Sequence, residues 1–265
     1  MKTRSAPEPG IDGSPACREP AMHRYAVYFL PADGHPLAEA GARWLGRHPD
    51  GSPVARRPPG LGGDIWRDLV DEPARYGFHA TLVAPFRLAR GSSHADLLAG
   101  ARAFASRWAP IEVPPLAVSA LGDFLALRPG PVGGGHRGSL PTIDQLAAGA
   151  VRAFDRLRRA LEPDDIARRR TAMLDPVEDA LMLRWGYPYV LSRWRLHFTL
   201  TRKLAPAMSR PIARIADTHF GPALREPLRC EDLCLFAEPM PGDPLRLVAR
   251  IPLTGQGAGP DVTAQ

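Results

Sequence analysis

Lysine and cysteine are both nearly missing from this chain of 265 residues. Lys2 and Lys203 are the only lysines among 34 basic side chains, so the net charge of +6 is carried almost wholly by arginine. Arginine suits planar, bidentate recognition of phosphate, although an arginine-rich, alanine-rich chain also follows from a GC-rich genome. The charge is therefore mild support for an anionic substrate. Three cysteines, Cys17, Cys230 and Cys234, are too few and too oddly numbered for a disulfide framework. With no Cys-x-x-Cys pair, Cys230 and Cys234 read as small core hydrophobes sharing a strand face. No His-Glu-x-x-His or comparable cluster has metal-ligand spacing, which argues against a zinc hydrolase and implies neither metal nor cofactor. No stretch approaches the roughly 20 apolar residues of a membrane span. Residues 1–22 lack the apolar segment of a secretory signal. A soluble, cytoplasmic protein without a membrane partner is expected. Aromatic residues make up only 7% of the chain, few for an RNA-binding module that stacks bases on exposed strands.

What the chain does have is a four-residue phrase that occurs twice, His79-Ala80-Thr81-Leu82 and His197-Phe198-Thr199-Leu200. Each copy lies in an apolar stretch that reads as a β-strand. On a strand, residues two apart share a face, so each His and its Thr point one way while Leu82 and Leu200 point inward. Two imidazoles near a reference pKa of about 6.5 can hold one neutral base and one cationic acid near neutral pH. Two threonine hydroxyls can meet charge on the oxygens of a phosphoryl group. His79, His197, Thr81 and Thr199 are thus the candidate catalytic set. By strand parity Arg195 and Thr201 share the face of His197 and are candidate substrate contacts, suggesting that this end of the site reads an extra anionic group. Tyr187, in Trp185-Gly-Tyr-Pro-Tyr189, is a further candidate substrate contact. Arg168-Arg169-Arg170 reads as a solvated helix face.

The repeat extends beyond the phrase. After His79 come a helix over about 93–108 and strands at about 111–121 and 123–127. After His197, itself on a strand over about 194–204, come a helix over about 209–219 and strands at about 227–237 and 245–253. A first strand spans 24–30, helices about 36–47 and 142–161, and shorter helical pieces about 164–170 and 176–183. The stretch 49–63 reads as a loop. The glycine-rich stretch 130–138 lacks the terminal Gly-Lys-Ser/Thr of a phosphate loop and reads as a linker. Residues 1–22 and 254–265 read as disordered tails. The fold class expected is α+β, with lobe one over about 23–129 and lobe two over about 139–253, each donating one His/Thr strand to a cleft.

Longer words surround the two phrases: Arg24-Tyr-Ala-Val-Tyr-Phe29, Arg75-Tyr-Gly-Phe-His-Ala-Thr-Leu-Val-Ala-Pro-Phe-Arg-Leu88, Phe124-Leu-Ala-Leu127, Ala167-Arg-Arg-Arg170, Trp185-Gly-Tyr-Pro-Tyr-Val190 and Arg195-Leu-His-Phe-Thr-Leu-Thr201. In these words, over about 24–253, the chain resembles the 2H phosphoesterase superfamily, and within it the subgroup described as phosphonate-metabolism proteins of unknown function. The resemblance implies a bilobal, pseudo-twofold α+β fold: two small sheets facing a central cleft, with helices outside. It also implies metal-independent hydrolysis of a phosphodiester, with His79 and His197 as the catalytic pair and Thr81 and Thr199 on the phosphate oxygens. A cyclic phosphate on a small sugar-phosphate metabolite, in phosphonate catabolism, is the substrate expected. The alternatives are processing of RNA 2′,3′-cyclic phosphates or 2′,5′-linkages, and a non-catalytic protein that binds a phosphorylated ligand or RNA. Oligomeric state is left open by the sequence.

Overall fold

The computed structural model describes residues 22–130, 142–170 and 173–255. Among them the chain is α+β, with seven α-helices and three antiparallel sheets. The strands are β1 (Arg24–Phe29), β2 (Ala80–Phe86), β3 (Ile111–Glu112), β4 (Leu116–Leu121), β5 (Phe124–Pro129), β6 (Phe198–Thr199), β7 (Arg229–Cys230), β8 (Asp232–Glu238) and β9 (Arg246–Pro252). The helices are α1 (Pro36–Leu45), α2 (Gly63–Ala74), α3 (His94–Ala105), α4 (Ile143–Phe154), α5 (Pro163–Arg169), α6 (Pro176–Trp185) and α7 (Pro206–Phe220). The tails expected over 1–22 and 254–265 and the linker over 130–138 lie mostly outside the described residues. Met22 packs on the core, and Thr254 and Gly255 donate their backbone N–H groups to Ala105 and Trp108.

Local chemistry sets the helix limits. Ser93 caps α3 and Asp175 caps α6, and each donates its own backbone N–H in return to the acidic side chain three positions on. Proline stands in the first turn of α1, α5, α6 and α7, where its missing N–H leaves no bond unmade. Helix α2 escapes the sequence reading, because Gly62-Gly63 at its start and Pro73 within it hide the helical spacing of Trp66, Leu69 and Val70. The strand expected over 111–121 is broken into β3 and β4 by Pro114-Pro115, which cannot donate to a ladder. The helix expected to reach 161 stops at Phe154. A short 3-10 turn follows, and residues 157–159 then pair with 87–89: Ala89 N–H donates to Leu157 O at 2.9 Å and Arg159 N–H to Arg87 O at 2.8 Å.

The sheets do not follow the two halves of the chain. The four-stranded sheet runs β2-β1-β8-β9 and the three-stranded sheet β4-β5-β6, while β3 pairs with β7. Each sheet thus takes strands from both sides of the expected linker, and the lobes read as 23–129 and 139–253 are not separate units of structure. The phrases lie on different sheets, His79 leading into β2 and His197 into β6. The main core lies against them: Phe198 stacks on Phe78 with ring centroids 5.0 Å apart and meets Phe29 edge-on at 5.6 Å, and Phe220 stacks on Phe78 at 5.9 Å. Leu82 and Leu200 are buried in this core, as strand parity requires. Cys230 belongs to the same core. Cys234 lies in a smaller cluster with Tyr28 and Phe236, so the two cysteines do not share a face: the chain passes from β7 to β8 between them.

Candidate active site

Both histidines are positioned by the same backbone device. Nδ1–H of His79 donates to the carbonyl of Gly77 at 2.8 Å, and Nδ1–H of His197 donates to the carbonyl of Arg195 at 2.8 Å. A carbonyl only accepts, so each neutral ring carries its proton on Nδ1 and leaves Nε2 unprotonated. His79 Nε2 accepts from the hydroxyl of Thr81 at 3.0 Å. Gly77 takes φ +80°, a conformation open to glycine at little strain, and this turn between α2 and β2 aims its carbonyl at the ring.

The surroundings fix the rings further. The ring of fully buried Tyr28 stacks on His79 with centroids 3.6 Å apart. Burial therefore lowers the His79 pKa to about 4. The Gly77 hydrogen bond opposes the shift, and the charge of His197 adds to it. His79 is thus within electrostatic range of His197, and the Phe78–Phe198 stack packs the two segments together. The His197 pKa is also lowered, chiefly by burial, against the pull of its bond to Arg195 and with the charge of Arg128 adding. Two indoles grip the phrases from behind: Trp194 Nε1–H donates to Thr81 O and Trp44 Nε1–H to Leu200 O, both at 2.7 Å.

Of the other expected contacts, Thr201 is corrected. It is 1% exposed, and its Oγ1 accepts from the N–H of Leu125 at 3.1 Å, so it fastens the chain beyond β6 to β5 and has no surface for a substrate. The strand expected over 194–204 shortens to Phe198–Thr199 for a related reason. After Leu200 the backbone donors turn to Leu125 O, Leu69 O and Asp123 O, leaving no regular ladder. Arg195 is exposed and folds back, donating to Ser192 O at 3.1 Å and Trp194 O at 2.7 Å. Tyr187 is half-buried, its pKa pushed up to about 12 by burial, and it lines a cavity of about 350 Å³ beside β2. Arg128 escapes the sequence reading. In the β5–β6 register Ala126 faces Thr199, so Arg128, two residues on, comes opposite His197. Its Nη1 donates to Ala120 O while its Nε is buried without a partner. The signal was available, since Arg128 follows the quoted word Phe124-Leu-Ala-Leu at the parity of Ala126.

Fold and site together define a mixed α+β protein in which two His-x-Thr segments from different sheets meet, each imidazole oriented by a carbonyl two residues back. The chain belongs to the family described as "Protein of unknown function (DUF1045)", whose pattern matches residues 81–246. It is 42% identical over 243 residues to "Ribose 1,5-bisphosphate phosphokinase PhnN" of Janthinobacterium sp. (strain Marseille), an alignment covering 89% of this chain and 52% of that protein. It is 40% identical over 225 residues to the protein of the same name from Laribacter hongkongensis (strain HLHK9), covering 84% and 50%. The chain thus spans about half the length of these curated relatives.

Proposed function

We propose that this chain is a phosphodiesterase of the 2H type that opens a cyclic phosphate on a small sugar phosphate by paired-histidine acid–base catalysis, with no obligatory metal. The observation that carries the proposal is the matched pair of imidazoles, both tied through Nδ1 and both with Nε2 directed away from its anchoring carbonyl. In this reading the bilobal, pseudo-twofold arrangement implied by the resemblance is the two sheets that carry β2 and β6. Once substrate draws the Thr81 hydroxyl from Nε2 onto a phosphoryl oxygen, His79, kept neutral by burial, takes a proton from water. His197, protonated, delivers one to the leaving alkoxide. The hydroxyls of Thr81 and Thr199 and the guanidinium of Arg128 meet the charge that grows on the phosphoryl oxygens. Arg195 and Tyr187 shape the rim.

The relatives' name supports a phosphorylated ribose as the substrate class. Opening a ribosyl cyclic phosphate that already carries a phosphomonoester yields a ribose bisphosphate, the class of compound on which a ribose 1,5-bisphosphate kinase acts. The phosphonate-catabolic setting implied by the resemblance fits the same chemistry. The kinase activity itself belongs to proteins of which this chain spans half. Here Lys2 follows Met1 and Lys203 follows Arg202, so neither supplies the Gly-Lys of a P-loop.

The test is turnover of ribose cyclic phosphates and RNA-terminal cyclic phosphates in EDTA, with His79→Ala and His197→Ala in parallel. The expected result is EDTA-resistant opening of a ribose cyclic phosphate that falls at least ~100-fold in each variant. Turnover indifferent to both histidines, or ATP-dependent phosphorylation of ribose 1,5-bisphosphate by this chain alone, overturns the proposal. Preference for the RNA ends moves the assignment to RNA processing.

A further inference from the structure

The cavity beside β2 takes its wall from strand residues Val83 to Phe86, beginning about 7 Å along the strand from Thr81. Tyr187 stands in that wall and lies within electrostatic range of Tyr28, the ring stacked on His79. Six arginines line the cavity, Arg24, Arg87, Arg158, Arg159, Arg168 and Arg169, against three carboxylates. They come from four separate places in the sequence. The pairing of residues 157–159 with 87–89 brings Arg87 beside Arg158 and Arg159.

Three of the six are matched to the cavity's own carboxylates: Arg24 to Glu238, Arg158 to Asp155 and Arg168 to Asp165. Arg159 reaches out to Glu162. Arg87 and Arg169 make no direct ion pair among the described residues; both feel, at longer range, the charge of Asp165, which is already paired to Arg168. Arg169 is half-buried, and its Nε is buried with no acceptor. The expectation that Arg168-Arg169-Arg170 is a solvated face therefore holds poorly at its middle member: Arg168 and Arg170 pair with Asp165 and Asp179, while Arg169 turns inward. A partly desolvated guanidinium with no carboxylate in direct contact is costly unless an anion completes its hydrogen bonds.

We propose that this cavity holds a phosphomonoester, the second phosphate of the substrate, in the fork of Arg87 and Arg169 while the cyclic diester lies at the two His-x-Thr segments. This rests on the phosphodiesterase reading and adds to it the substrate class: a sugar cyclic phosphate bearing a separate phosphomonoester. The extra anion is read beyond Thr81, at the opposite end from the one that Arg195 and Thr201 suggested.

Binding, unlike turnover, separates the two claims. The probe is ribose 5-phosphate, titrated calorimetrically into the full chain, with ribose and inorganic phosphate as comparators. Arg169→Gln and Arg87→Gln are each expected to weaken its binding about 10- to 100-fold, with Lys203→Gln, which removes a positive charge outside the cavity lining, binding as wild type and Arg169→Lys falling between. Melting curves identify any variant that fails to fold, and Arg87, which has no direct ion pair to lose, is the second handle if Arg169→Gln does. Unchanged affinity in both arginine variants overturns the proposal, as does an equal loss of affinity in Lys203→Gln. Tighter binding of inorganic phosphate than of ribose 5-phosphate overturns the sugar phosphomonoester. If the arginine dependence holds but no cyclic phosphate is opened, the cavity stands and the phosphodiesterase reading falls.

Discussion

At His79 two requirements of a general base are met before a substrate arrives. Its bond to Gly77 fixes the tautomer, and burial against Tyr28 keeps the ring neutral down to a pKa of about 4. The unfolded chain protonates this histidine near 6.5. Below that pH the unfolded state binds the proton more readily than the folded one. The contribution of His79 to stability is therefore complete above about 6.5 and is lost as pH falls toward 4. A proton NMR titration should show the His79 resonance unmoved through neutrality, and His197→Gln should raise its midpoint by removing a like charge. Arg128→Gln should raise the pKa of His197 for the same reason. It should also cut kcat/KM about 10- to 100-fold, the scale of a lost charge-assisted contact. With both imidazole pKa values lowered, kcat/KM should peak on the acidic side of neutrality, between the two titrations. A maximum above pH 8 would reject the assignment of His79 as base and His197 as acid.

The two strands show how far sequence pattern reaches. Alternation placed His79 with Thr81 and sent Leu82 inward, because the packing of one sheet face is a short-range consequence of which residues are apolar. The same parity failed at Thr201. There the chain leaves the ladder, and a hydroxyl that should have faced solvent is captured by Leu125 N–H. Nothing within a few residues of Thr201 announces that partner, which lies 76 positions away. Tyr28 and Trp194 were likewise invisible as site residues, since each acquires its role only from a strand or turn remote in sequence. Thr201→Val should leave a buried N–H without an acceptor and destabilise the protein by about 1–3 kcal/mol, while Thr201→Ser should retain most of the stability. Urea unfolding of the two variants separates these outcomes. Trp194→Phe keeps the ring's bulk but deletes the bond to Thr81 O. It should lower kcat more than it changes KM, because the bond positions the first His-x-Thr segment and touches no ligand.

Across the whole chain, the pairing of strands decides what can fold by itself. β1 is held between β2, from the first half, and β8, from the second. β6 completes a sheet whose other members, β4 and β5, precede it by some seventy residues. Cutting between Gly130 and Thr142 therefore strips the four-stranded sheet of half its strands and the three-stranded sheet of its His197-bearing edge. It also exposes Phe29 and Phe78 on one fragment and Phe198 and Phe220 on the other. A helical-hairpin array or a pair of independent lobes would survive such a cut. An interleaved sheet does not, because the open edges and the bared aromatic core have no alternative partner within the fragment. Fragments 22–130 and 142–255, each alone, should lack cooperative thermal unfolding and dispersed amide resonances. Mixed at equal concentration after joint refolding, they should regain both, with any hydrolytic activity returning in step. Cooperative folding of either fragment alone would mean that the halves of the sequence are domains after all, and that the contacts between them are docking rather than construction.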